Sequence, residues 1–152
     1  MRVVEVQLEA TFDLRRRVLR AHAPDVPVSN PQDAVAGAFH LAVVDDDAGG
    51  TIVAVGSFSP TDGDRRVVRL RGMAVEPSRQ SQGLGGLLLD TAVDRLARAG
   101  NVTLLWANAR LPALAFYERH GFVAVGGPFD EIGIPHVRVE RAIGADLQSG
   151  DA

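Results

Sequence analysis

From Val67 to Gly86 the chain reads VVRLRGMAVEPSRQSQGLGG, an apolar strand that meets Pro77 and then a glycine-rich turn ahead of a helix-forming run. This junction requires a strand that feeds a helix through a loop with an accessible backbone. Gly83 and Gly85 lack a Cβ, so a ligand can approach the main chain closely. The helix that follows offers unpaired N–H groups and the positive end of its dipole. With Gln80 the pattern is Q-x-x-G-x-G, a cradle for a phosphate.

Two familiar phosphate loops do not fit. A nucleoside triphosphate loop needs Gly-Lys-Ser/Thr, but Gly86 and Leu87 follow Gly85. A dinucleotide fingerprint needs G-x-G-x-x-G, but Leu88 occupies the third glycine position and no strand-helix-strand repeat follows. The loop closely resembles the pyrophosphate loop of the GNAT N-acetyltransferases, R/Q-x-x-G-x-G/A, with matches at Gln80, Gly83 and Gly85. The resemblance continues downstream, where Ala113-Leu114-Ala115-Phe116-Tyr117-Glu118-Arg119-His120-Gly121-Phe122 is similar to the family's A-x-x-F-Y-x-x-x-G-F segment. It covers Val67 to Ile143, and FDEIGIPHVRVE resembles the last hairpin of a bacterial branch of the family.

Composition bounds the chemistry. The 152 residues are 46% hydrophobic and 23% charged, the size and core content of one globular domain. No apolar run is long enough to cross a bilayer, and MRVVEVQLEA is too polar for a signal peptide, so the expectation is a cytoplasmic protein without membrane contact. With no cysteine, disulfides, thiolate metal sites and a cysteine acyl-enzyme are excluded. A net charge of −3 argues against a general affinity for nucleic acid. No metal is expected. Asp45, Asp46 and Asp47, with Gly49 and Gly50, read as a solvated hairpin turn.

Along the chain, Arg2 to Gln7 suggests an edge strand. Thr11 to Arg20 suggests an amphipathic helix with Phe12, Leu14, Val18 and Leu19 inward and an Arg-rich face outward. Pro24, Pro27 and Pro31 bar a continuous helix from His22 to Gln32. Phe39 to Val44 and Thr51 to Phe58 read as strands, Ser59 to Asp64 as a connection, and the next strand runs to Glu76. The helix Leu84 to Arg98 carries an apolar stripe of Leu88, Leu89, Ala92, Val93 and Leu96, and Gly100 closes it. Asn101 to Ala107 is apolar almost throughout, as in a strand covered on both faces. Pro112 and Gly121 bracket a short helix, His136 to Arg141 closes the sheet, and Gly144 to Ala152 reads as a frayed tail.

The resemblance implies an α/β GNAT fold, a mixed central β-sheet flanked by helices, with parallel strands splayed at an acetyl-CoA site. It places Met73, Ala74 and Val75 along the pantetheine arm, with an N–H near Met73 polarising the thioester carbonyl. Gly72 permits either a bulge at the splay or relief of a crowded sheet. Arg79, Gln80, Ser81, Gln82, Gly83, Leu84, Gly85 and Gly86 then form the pyrophosphate loop. Gln82 stands where relatives often have Arg or Lys, so backbone amides carry more of the binding, helped by Arg79.

Tyr117 is the implied proton donor to the departing thiolate. Arg69 occupies the position of the glutamate base of some relatives, which leaves Glu76, Glu131 and His136 as alternatives for that role. Arg110 replaces a common asparagine, and His40 and His120 have structural explanations. The implied activity is acetyl transfer from acetyl-CoA, the acyl-donor cosubstrate, directly to a small-molecule or peptide amine in a ternary complex. A catalytically silent acyl-CoA-binding module and an acyltransferase for longer acyl groups or oxygen acceptors are the rival readings. A homodimer is left open.

Overall fold

The computed structural model describes residues 1–144. The expected tail lies, beyond Gly144, outside them. Seven strands form one mixed sheet in the order β1-β2-β3-β4-β5-β7-β6. They are β1 (Arg2–Val6), β2 (Phe39–Asp45), β3 (Thr51–Thr61), β4 (Asp64–Val75), β5 (Leu104–Arg110), β6 (Val123–Glu131) and β7 (Ile134–Ala142). The α-helices among the described residues are α1 (Phe12–Leu19), α2 (Leu84–Ala99) and α3 (Leu114–Arg119). The chain divides into two compact units. The first comprises Met1–Ser59 and Leu70–Ala92, the second Pro60–Arg69 and the chain from Val93 onward.

In the first unit, β1 pairs antiparallel with β2 from Arg2↔Val44 to Val6↔His40, and β2 pairs antiparallel with β3 from Phe39↔Phe58 to Asp45↔Thr51. All seven residues of β2 are buried. Leu14, Ala42, Val55 and Ala74 form a core against which Val4, Val6, Val18, Leu19 and Ile52 pack. The Arg-rich face expected of α1 is only partly outward. Arg16 and Arg17 are exposed, but Arg15 is 1% exposed. A charge tolerates such burial only with partners, and Asp33, Ser57 and the Gly72 carbonyl supply them.

The expected connection from Ser59 to Asp64 shrinks to Asp62 and Gly63, a two-residue hairpin between β3 and β4. Pro60 is accommodated inside β3 because pairing with β2 ends at Phe58, so that edge needs no N–H donor beyond it.

In the second unit, β4 and β5 are parallel, Val67↔Leu104 through Arg69↔Trp106. β5 pairs antiparallel with β7 from Leu104↔Ala142 to Arg110↔His136. β7 does not close the sheet as expected. It lies between β5 and the edge strand β6, to which it is joined by the hairpin ending at Glu131↔Ile134. Nor is β5 covered on both faces. Leu105, Ala107 and Ala109 are buried, while Leu104, Trp106, Asn108 and Arg110 are half-buried. The apolar run begins later than the sequence suggested, and its polar C-terminal half belongs to the strand.

Candidate active site

The first unit holds the glycine loop. Beyond β4, Pro77–Arg79 form a single 3-10 turn, Ser81 adopts φ +68° and Gly83 φ +80°, and α2 begins at Leu84. Leu87 N–H donates to the Gly83 carbonyl, so the N–H groups of Leu84, Gly85 and Gly86 precede the first intrahelical bond. Nothing lies within 4 Å of where a Gly83 Cβ would stand. Ser81, Gln82 and Gly83 are exposed, and the first turn of α2 holds no acidic side chain that would repel an anion.

Two side chains brace this loop. Gln80 donates from Nε2 to the Val75 carbonyl at 3.3 Å. Arg79 Nη2 lies 2.7 Å from Asp45 Oδ2, and that hydrogen bond holds the Asp45 carboxyl below its ordinary pKa. The same unit disposes of one base candidate. Arg17 grips Glu76 bidentately, at 3.1 Å to Oε1 and 2.9 Å to Oε2, which holds the Glu76 carboxyl low and weakens it as a proton acceptor.

Ahead of the loop, Met73 and Val75 are half-buried and Ala74 is buried. Gly72 takes φ +62°, the left-handed conformation of a bulge residue, and a Cβ there would overlap the Arg15 guanidinium. Glycine is required at this point on both counts.

The second unit brings His136 and Glu131 together. His136 Nδ1 is 2.7 Å from the Ile134 carbonyl, which can only accept, so Nδ1 carries the hydrogen. In neutral imidazole Nε2 is then the bare nitrogen, and it lies 3.5 Å from Glu131 Oε2. Asn108 Nδ2 donates to Glu131 Oε1 at 3.2 Å, and Arg69 Nη2 stands 3.9 Å from the same oxygen. Trp106 lies between Arg69 and Arg138, whose guanidinium carbons are 4.4 and 3.9 Å from its ring centroid. These groups share the half-buried face of β4, β5, β7 and β6 because directly paired residues project to one side. Sequence reasoning missed Asn108 and Trp106. Their signal was the period-two alternation with Arg110, masked by an apolar reading of β5.

Tyr117 sits apart from that face. In β7, Arg141 alternates with Glu140 and Arg138, and its Nη1 donates to the His120 carbonyl at the end of α3. The helix carrying Tyr117 therefore covers the opposite side of these strands from His136 and Glu131. Tyr117 packs edge-on against Phe116 and Phe122, and burial pushes its hydroxyl up to about 12. Among the described residues no cluster of His, Asp and Glu is arranged to hold a metal ion, and no helix is long and apolar enough to cross a membrane.

The mixed sheet, and a glycine loop that opens α2 directly after β4, define an acyl-CoA N-acyltransferase fold. The chain belongs to the acetyltransferase (GNAT) family, whose model matches residues 8–122. It is 34% identical over 138 residues to YitI of Bacillus subtilis strain 168, described as an uncharacterised N-acetyltransferase; the match covers 88% of this chain and 90% of that one. A crystal structure of an acyl-CoA N-acyltransferase from Pseudomonas aeruginosa superposes with a TM-score of 0.77 at 25% identity, covering 93% of this chain and 97% of that chain. Escherichia coli ElaA shares the fold at the same TM-score and 17% identity, over 93% of this chain and 99% of that chain.

Proposed function

We propose that this protein transfers the acetyl group of acetyl-CoA directly to an amine acceptor within a ternary complex. The observation that carries the reading is the loop before α2, where Gly83 is left-handed, open to solvent and followed by N–H groups without helical acceptors. A pyrophosphate satisfies that arrangement. Ser81, Gln82, Leu84, Gly85 and Gly86 supply backbone, Gln80 braces the turn, and Arg79 adds a cation already shared with Asp45.

Met73, Ala74 and Val75 pair with the pantetheine arm, and the Met73 N–H polarises the thioester carbonyl. The amine loses its proton to His136 through Nε2, or to Glu131 through water, the two acting as one unit. Tyr117, held protonated by burial, steadies the departing thiolate. Its hydroxyl is a weaker acid than an alkyl thiol by about three pK units. It therefore donates a hydrogen bond to the sulfur and does not surrender the proton outright. The sequence holds no cysteine to carry an acyl intermediate, which favours direct attack.

The test is a screen of amine acceptors, small molecules and peptide N-termini, against acetyl-CoA with release of free thiol as the signal. Thiol release that depends on one acceptor class, with intersecting double-reciprocal lines, supports the proposal. Parallel lines overturn direct transfer. Stabilisation by CoA without turnover of any acceptor would make the protein an acyl-CoA-binding module.

A further inference from the structure

Arg15 is a buried cation whose hydrogen bonds converge on the backbone of β4. Its Nε donates to the Gly72 carbonyl at 3.1 Å and its Nη2 reaches the Arg71 carbonyl at 3.4 Å. Nη2 also donates to Ser57 Oγ, and Nη1 stands 3.5 Å from Asp33 Oδ2. Ser57 and Asp33 are themselves buried, at 0% and 1% exposure. Ser57 Oγ also lies 2.6 Å from His40 Nδ1, so one hydroxyl joins the imidazole to the guanidinium in the same buried network.

A surface cation would serve α1 equally well for solubility. Burying one carries a large desolvation penalty, and the partners here only offset it. The network is therefore a costly way to hold one stretch of backbone still. That stretch is the part of β4 around left-handed Gly72, where a side chain would displace the guanidinium.

We propose that Arg15, seated by Ser57 and Asp33, is a positioning residue for acyl transfer, fixing the peptide plane between Gly72 and Met73 so that the Met73 N–H meets the thioester carbonyl. The inference rests on the assignment of that N–H above. In a trans peptide the carbonyl of Gly72 and the N–H of Met73 point in opposite directions across one rigid plane. A guanidinium that grips the carbonyl thus sets the direction of the N–H. It also withdraws electron density from the amide, which makes the N–H a stronger donor. Neither effect needs Arg15 to touch the substrate.

The deciding measurement is the infrared carbonyl band of bound, carbonyl-labelled acetyl-CoA, with kcat and CoA affinity measured alongside. In the unsubstituted protein the band should move to lower frequency than in free acetyl-CoA, because the carbonyl is polarised. In Arg15→Lys, which keeps the charge but loses the planar fork, the band should return toward the free value. In that variant kcat should fall at least about tenfold, and affinity for CoA, which has no acetyl carbonyl, should stay the same. Ser57→Ala keeps the guanidinium and loosens its seat, so it should shift the band in the same direction by less. It also decides the matter if the lysine variant does not fold.

A band unchanged in a folded Arg15→Lys or Ser57→Ala protein overturns the positioning role while leaving the Met73 assignment intact. Absence of any shift in the unsubstituted protein would instead remove the Met73 assignment, and the role of Arg15 with it.

Discussion

Arg79 Nη2 and Asp45 Oδ2 lie 2.7 Å apart, tying the turn before the glycine loop to the end of β2. The pair gives the loop a fixed edge and also tempers the one cation that precedes its glycines. Asp45 accepts from Asp47 N–H as well, so Asn can replace it without losing the cap of the turn that follows. Asp45→Asn should strengthen CoA binding about two- to fivefold at low salt, with the gain fading as salt rises. Calorimetric titration at two ionic strengths checks this.

Gly83→Asp should abolish stabilisation by CoA. At φ +80° any side chain is strained, and a carboxylate placed before α2 opposes the pyrophosphate. Ligand at a hundredfold excess over its dissociation constant contributes about 2.7 kcal/mol. Thermal melts with and without CoA should therefore separate clearly for the unsubstituted protein and coincide for a folded variant.

Tyr117→Phe should lower kcat about tenfold or more while acetyl-CoA affinity is kept, since a hydrogen bond to a developing charge is worth about 1.5–3 kcal/mol. The same substitution has a signature in alkali. The folded pKa is raised from 10.0 to about 12, so the protonated form is favoured by folding. Its contribution to stability is complete below about pH 10 and is lost as pH rises through about 12, at about 1.4 kcal/mol per pH unit. Urea melts from about pH 9 to about pH 11 should show this slope in the parent and a shallower one in Tyr117→Phe.

Glu131→Gln should reduce kcat at least about tenfold at neutral pH, and His136→Gln should do the same. Because the two side chains face each other, the double variant should be little worse than either single one. Steady-state rates for the four proteins, with CoA-induced melting shifts as a control for binding, supply the test. Additive losses would separate the two residues.

The glycine loop and the F-Y-x-x-x-G-F segment were legible because their constraints are local. A left-handed residue before a helix calls for glycine, whatever surrounds it. The buried Arg15 was not legible, since its main backbone partner is 57 positions away and nothing nearby in sequence distinguishes it from Arg16 or Arg17. The pairing of His136 with Glu131 was named only as two separate candidates. It depends on a hairpin register that sets Glu131 opposite Ile134 and Phe129 opposite His136. The place of β7 between β5 and β6 was missed for a related reason, because strand order is a matter of long-range pairing and alternation records only which residues face inward.

Trp106 and Tyr117 are the chain's single tryptophan and single tyrosine, and both belong to the second unit. Ultraviolet emission and near-ultraviolet dichroism above the phenylalanine bands therefore watch that unit alone, while β1, β2 and α1 are optically dark there. Far-ultraviolet dichroism sees the whole backbone. The protein thus carries its own two-channel probe of cooperativity. Coincident melts in the two channels mean that the strands of both units dissolve together, whereas a backbone transition that sets in ahead of the emission transition means that the half bearing the glycine loop can open on its own.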